Sequence, residues 1–354
     1  MKRLFPLFLL LSLLFTSATA QDQHFTQYFA SPLTLNPALT GLYEGRYRVS
    51  FIYRDQWRKA LENPYSTFSG AADFRYFVNP RKRQYKDAFG VGVLFYSDRV
   101  AELNYSTNQI MFSGAYHKSL SKDNTQTLSL GVQFGIAQRN VSYDQLTFED
   151  EFNGTTGFDE GATGELFPEN NFAFGDYQVG LNYSSVPRKG MALYAGASMH
   201  HITEPEQSFY FELTRDEEVQ VTNKLFRKYS GYLSLRIPLS RDVQFSPRVL
   251  LYSQGPHLAM TTGSNLRFLV NDVNGAAIHV GGWVRPVQND DSKFSMDSAI
   301  AFFGVEYSNF LLGLSYDIGL NQLNTDRRHQ GAFELSVAYL GQSDDDEAVP
   351  CPKF

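Results

Sequence analysis

The sequence predicts an all-β protein: a transmembrane antiparallel β-barrel of about fourteen strands, with both termini periplasmic. Three observations carry this expectation. Apolar or aromatic residues alternate with small or polar ones in stretch after stretch, many stretches run to roughly ten residues or more, and none after the leader is apolar throughout. A strand turns successive side chains to opposite faces, so a period of two separates an oily face from a polar one. A soluble sandwich alternates too, but on strands of about five or six residues. Crossing a bilayer at a tilt needs roughly ten.

Residues 1–20 read as a signal peptide. Met1-Lys2-Arg3 supplies a positive start, Leu4 to Phe15 an apolar run and Ala18-Thr19-Ala20 a small-residue exit, with cleavage expected before Gln21. No Cys stands at that point for lipid attachment, and no later run reaches the roughly eighteen apolar residues of a membrane helix. Only closed barrels and helices satisfy every backbone N–H and C=O inside lipid, so a membrane location for this chain means a barrel.

Residues 21–45 are expected to form an N-terminal plug or periplasmic segment. Phe25, Tyr28 and Phe29 offer aromatic anchors, Pro32 and Asn36-Pro37 force non-helical turns, and Phe25, Tyr28, Phe29, Asn36 and Pro37 are the residues expected to bind a partner.

The barrel is expected over 46–340. In the first strand, 46–57, outward Tyr47, Val49 and Phe51 leave Arg46, Arg48 and Arg54 facing the lumen. The second, 65–77, adds Thr67, Ser69, Asp73 and Arg75 to the interior. Strands 88–99 and 104–120 follow. In 126–141 the alternation is plainest, with Leu128, Leu130, Val132, Phe134 and Ile136 set against Ser129, Gly131, Gln133, Gly135 and Ala137. Next come 171–185 and 190–203, the latter alternating Met191, Leu193, Ala195, Ala197 and Met199 with Ala192, Tyr194, Gly196, Ser198 and His200. Strands 227–239, 243–255, 257–270, 276–286, 295–308 and 310–320 bring Arg236, Arg248, Arg267, Glu306 and Asp317 inward. The last, 331–340, points Phe333, Leu335, Val337 and Tyr339 out and Glu334 in.

An even strand count puts the short connections on one side and the two longest, 142–170 and 204–226, on the other. That asymmetry belongs to outer-membrane barrels, whose short turns are periplasmic. The ten-residue connection 78–87, carrying Pro80-Arg81-Lys82-Arg83, is the exception and reads as a solvated turn. The tail 341–354 is expected in the periplasm; it is acidic at Asp344-Asp345-Asp346-Glu347 and holds the only Cys, Cys351, available as a free thiol or for an intermolecular disulfide.

Aromatic residues make up 15% of the chain, which fits girdles at the two membrane interfaces where the barrel meets outer-membrane lipid. A net charge of −6 excludes general nucleic-acid binding. Arg46, Arg48, Arg54, Asp73, Arg75, Asp317 and Glu334 are expected to form a lumen charge network, since confined charges need partners. The other use of such an interior is an electropositive seat for an acidic segment or a small anion.

Neither a catalytic set nor a cofactor site can be assembled. His200-His201 with Glu204 suggests a metal site, but adjacent strand residues face opposite sides, so one imidazole is expected at lipid or the interface. Glu149, Asp150, Glu151, Asp159 and Glu160 lack the spacing of a known calcium loop, and Gly90-Val91-Gly92 is only a small-residue strand face.

The blocks Gln21-Asp22-Gln23-His24-Phe25-Thr26-Gln27-Tyr28-Phe29, Ser31-Pro32-Leu33, Leu35-Asn36-Pro37-Ala38 and Gly41 resemble the mature N-terminus of the PorP/SprF family. So do Tyr53-Arg54-Asp55-Gln56-Trp57, Pro64-Tyr65-Ser66-Thr67-Phe68, Gly313-Leu314-Ser315-Tyr316-Asp317, Gly331-Ala332-Phe333-Glu334-Leu335-Ser336 and Cys351-Pro352-Lys353-Phe354. The resemblance implies an outer-membrane protein of the type IX secretion system of Bacteroidetes, in a family partly tied to gliding motility. It implies no enzyme. The implied partners are a secreted adhesin with a C-terminal sorting domain and the periplasmic and outer-membrane components of the same system. Two other readings remain at this stage: a passive transporter for a hydrophobic or small anionic solute, and an outer-membrane hydrolase with a catalytic residue near the rim.

Overall fold

A computed structural model describes residues 24–58, 64–100, 105–143, 146–155, 157, 163–165, 167–188, 190–209, 223–288, 293–320 and 331–341. The expected signal peptide and the tail with Cys351 lie outside these residues.

Fourteen strands close into one antiparallel barrel. In chain order they are β1 (Tyr47–Gln56), β2 (Tyr65–Phe77), β3 (Ala88–Val100), β4 (Tyr105–Ser119), β5 (Gln126–Asn140), β6 (Asn171–Arg188) and β7 (Met191–His200). Then follow β8 (Lys228–Pro238), β9 (Val243–Gln254), β10 (His257–Asn271), β11 (Ala276–Gln288), β12 (Phe294–Tyr307), β13 (Phe310–Gly319) and β14 (Gly331–Leu340). Each strand pairs with its chain neighbours, and β1 pairs with β14 to shut the seam, with Arg54 opposite Glu334. Closure leaves no strand edge unpaired, which is what a lipid environment demands.

The alternation in the sequence becomes two faces. Along β5, Leu130, Val132, Phe134 and Ile136 stand at the outer surface while Ser129, Gln133 and Ala137 are buried within. Aromatic rings gather at both rims. Near the short-turn rim Tyr47, Tyr339, Phe310 and Phe74 form a chain of ring contacts, and Tyr76 stacks on Phe89 at 5.2 Å. Toward the long-loop rim Tyr229, Phe294, Tyr316 and Phe333 are exposed.

Strand ends depart from expectation in places with clear local causes. β7 stops at His200 rather than 203, because His201 takes a left-handed backbone with φ 55° and turns the chain. β6 continues to Arg188 through a register shift after Ser185. β11 runs past Pro286 to Gln288; the register against β12 shifts between Arg285 and Pro286, as a proline without an N–H requires.

The turn 78–87 is tied down. Asn124, in the next turn on that rim, accepts from the Lys86 amide at 2.7 Å and donates to the Arg83 carbonyl at 2.8 Å. Asp87 accepts from Lys118 Nζ, at 2.7 Å, and from the Ser119 amide, at 3.0 Å.

The barrel strands begin and end at the short-turn rim, where the Arg46 and Gly341 backbones meet. Ahead of β1, residues 24–43 occupy the lumen. His24 lies near the long-loop end, its ring 4.7 Å from that of Tyr252, and the chain descends from there to Tyr43. Strand parity places the start of β1; it says nothing of the residues before it.

Candidate functional site

The lumen segment is held by its own short turns and by the wall. Pro32 opens the helical turn α1 (Pro32–Leu35), and Pro37 opens a 3-10 turn over Pro37–Leu39 capped by Asn36, whose Oδ1 accepts from the Ala38 amide at 2.8 Å. Sequence reading expected non-helical turns here. Proline is instead used at the first position of a turn, where its missing N–H costs nothing.

Phe25, Tyr28, Asn36 and Pro37 are buried inside the barrel, and Phe29 is partly buried there. They contact this chain's own wall rather than offering a surface to another protein. Asn36 donates to the Leu181 and Ala197 carbonyls at 2.9 and 3.2 Å, and Phe29 packs edge-on against Phe302 with the Arg248 guanidinium 4.2 Å from its ring centre. Glycines make room. A Cβ on Gly131 would strike Pro37 and Ala38, and one on Gly90 would strike Thr40.

Charged side chains fasten the segment at two heights. In the half nearer the long loops, Glu334 accepts from the Thr26 and Gln27 amides at 2.7 and 2.8 Å and from Arg54 Nη1 at 2.5 Å. Asp317 accepts from the Thr26 hydroxyl at 2.7 Å, from Arg54 Nη2 at 3.2 Å and from Arg285 Nη1 at 3.1 Å. The Thr26 hydroxyl is also contacted by Arg285 Nη2.

Nearer the short turns, Asp73 accepts from Arg48 at 3.0 and 2.8 Å and from the Gly41 amide at 2.7 Å. Arg48 also donates to the Leu39 carbonyl, and Arg75 to the Tyr43 carbonyl at 2.6 Å. A third cluster, away from the segment, joins Arg267 and His279 to Glu306. All these ions are matched by opposite charges or backbone dipoles, which offsets the cost of taking them out of water.

Six of the seven expected network residues, Arg48, Arg54, Asp73, Arg75, Asp317 and Glu334, are therefore buried in the interior. Arg46 is not. It precedes β1 and is exposed at the rim, where its carbonyl accepts from the Arg75 amide. Sequence reading missed Arg285 and His279. The parity of β11, with Ile278, Val280 and Val284 outward, contained the signal for both.

The His200-His201 expectation is corrected: both imidazoles are buried inside the barrel. The parity rule fails because the strand ends between them, and His201 folds back to place Nδ1 3.0 Å from Asp176 Oδ1. Among the described residues no group of three or more His, Cys, Asp and Glu side chains is placed to hold a metal.

Not all of the lumen is filled. A cavity of about 260 Å³ lies at the long-loop end against β2 to β8, floored by Thr34 and lined by Tyr96, Asp98, Tyr105, Arg139, Gln178, His200 and Lys228 among others. The Arg54, Arg285, Asp317 and Glu334 network lies against the opposite wall, on β1, β11, β13 and β14, while the Arg48, Asp73 and Arg75 group sits on β1 and β2 nearer the short turns.

Residues 17–339 match the family described as type IX secretion system membrane protein PorP/SprF. The chain belongs to the PorP/SprF family. It is an outer-membrane component of the type IX secretion system. No curated protein matches it in sequence.

Among solved structures, a TodX monoaromatic hydrocarbon channel mutant (deltaS2) superposes with TM-score 0.50 at 11% identity, covering 88% of this chain and 93% of that one. A Pseudomonas aeruginosa FadL homologue gives 0.49 at 12% identity, with 86% and 92% covered. The Pseudomonas putida toluene transporter TodX gives 0.48 at 11%, with 91% and 95% covered. At such identities the likeness concerns the barrel fold of this PorP/SprF protein and nothing finer.

Proposed function

We propose that this PorP/SprF protein is a non-enzymatic receptor. It receives or retains a large secreted surface protein, such as a gliding adhesin, through that protein's C-terminal sorting domain, and docks periplasmic machinery of the same system at its short-turn rim. One observation carries the preference for a partner-binding role over solute transport. The chain's own residues 24–43 run down the lumen and are bonded to the wall at Glu334, Asp317 and Asp73. A solute would have to displace them, whereas a barrel that binds at its rims keeps them in place. The long connections at one rim provide surface for a client, and loops on a rigid scaffold are where recognition concentrates.

The test is affinity capture of the tagged protein from gently solubilised outer membranes, combined with deletion of the gene. Co-purification of one large surface protein and of secretion components, with loss of that protein's surface display on deletion, is the expected result. Capture of the barrel alone, with display intact and uptake of a solute impaired, would replace this reading with transport.

A further inference from the structure

We infer that the cavity at the long-loop end of the lumen is a binding site for an acidic polypeptide segment of the secreted partner; this deepens the receptor reading and rests on it. The cavity is a different part of the lumen from the buried ion network. Its charged lining is Arg139 and Lys228 against the single carboxylate Asp98, one of whose oxygens already accepts from Thr67 at 2.7 Å. The two imidazoles of His200 and His201 complete the polar wall, and His201 is committed to Asp176. Two cationic side chains thus stand on this lining with one carboxylate.

Two unmet hydrogen-bonding groups say what would fit. Gln178 is 7% exposed and lines the cavity; its Nε2 donates to Asp176, but its Oε1 is buried without a partner. Arg139 has its guanidinium 6.0 Å from the Tyr105 ring centre and 5.9 Å from that of Phe174, and its buried Nε has no hydrogen-bond partner. An occupant that accepts from Arg139 and donates to Gln178 would satisfy both groups. A carboxylate alone accepts only. An acidic residue within a polypeptide does both, through its side chain and its backbone N–H. Tyr65, Tyr96 and Tyr105 around these groups provide apolar surface with polar tips for the flanking residues.

The site can be probed without disturbing its charges. In a Cys351→Ser background, Thr34→Cys puts a thiol at the floor of the cavity, and labelling by a water-soluble maleimide reports access in the purified full-length barrel. Acetylated hexaglutamate is expected to slow labelling about tenfold in low salt, as loss of one or two charge-assisted hydrogen bonds would predict in reverse. Hexalysine is expected to have no effect, and Arg139→Gln with Lys228→Gln to abolish the protection. The heat-modifiable mobility of each variant confirms its folding.

No protection by hexaglutamate, equal protection by hexalysine, or protection that survives the double substitution would overturn the inference. So would equal protection by free glutamate, which would make the site one for a small anion. In cells, normal surface display of the client with the double variant would remove the cavity as its seat but leave the receptor reading standing. Normal display after deleting the whole gene would remove the receptor reading itself.

Discussion

Arg54 and Glu334 face each other across the seam that closes the barrel, 280 positions apart in the chain, with Nη1 2.5 Å from Oε1. The same carboxylate accepts the backbone amides of Thr26 and Gln27, so one side chain joins the first strand, the last strand and the lumen segment. Reversing the charge at Arg54 leaves Glu334 and Asp317 facing a third carboxylate. Removing one partner of a buried pair costs about 3–5 kcal/mol. Arg54→Glu and Asp317→Lys are each expected to lower the temperature at which the folded barrel converts to the slow-migrating unfolded band on a gel. Wild-type heat resistance in both variants would show that the pair does not hold the seam.

The second expectation concerns the seat of the lumen segment. Gly131 permits backbone contact with Pro37 and Ala38 that any side chain would block. Gly131→Val leaves β5 well suited to strand structure, since valine favours it, but displaces the segment. The variant should fold with near-normal heat resistance and show ion conductance in planar bilayers well above that of the wild type. Unchanged conductance would mean that the segment adapts around the new methyl groups.

These two sites mark how far the sequence could be read. β5 was legible because its faces differ at every step, from Leu128 to Ala137. The charges of β1, β2, β13 and β14 followed from the same parity. The path of residues 24–43 was not legible, because its determinants are glycines such as Gly90 and Gly131, which carry no signal for either face of a strand. His201 escaped for a different reason: parity holds only while a strand continues, and a single left-handed residue ended β7 one position earlier. Arg285 sits beside Pro286, where the sequence-based strand stopped. In the structure the register shift against β12 carries the strand past the proline.

A third expectation concerns pH at the short-turn rim. Burial raises the Asp87 carboxyl, but hydrogen bonds from Lys118, the Ser119 amide and Tyr116 outweigh it and hold the pKa below its ordinary 3.8. A group whose folded pKa is depressed stabilises above its unfolded value and loses that contribution as pH falls through the folded one. The tie between the 78–87 turn and β4 should thus be intact at neutral pH and at pH 5, and weaken only below the ordinary carboxylate range. Asp87→Asn removes the charge at every pH. Lower protection of the Ser119 amide, relative to its intrinsic exchange rate at the same pH, is expected in the variant at neutral pH and in the wild type only in strong acid; identical protection in the two proteins at neutral pH would refute the tie.

The last expectation tests the lipid-facing surface by depth. Val132 lies at the middle of β5 and is 52% exposed, while Leu128, 43% exposed on the same face, lies near the short-turn end. In a barrel whose outer face meets hydrocarbon, a cation is most costly at the midplane and nearly tolerated at the interface. Val132→Arg should therefore destabilise the protein folded in liposomes by about 2–4 kcal/mol and Leu128→Arg by about 0–1 kcal/mol, read from denaturant unfolding of the two variants. Both positions are comparably exposed, so a water-facing surface would give both substitutions the same small effect. Only immersion of the middle of β5 in lipid separates them, and equal values would remove Val132 from the hydrocarbon band.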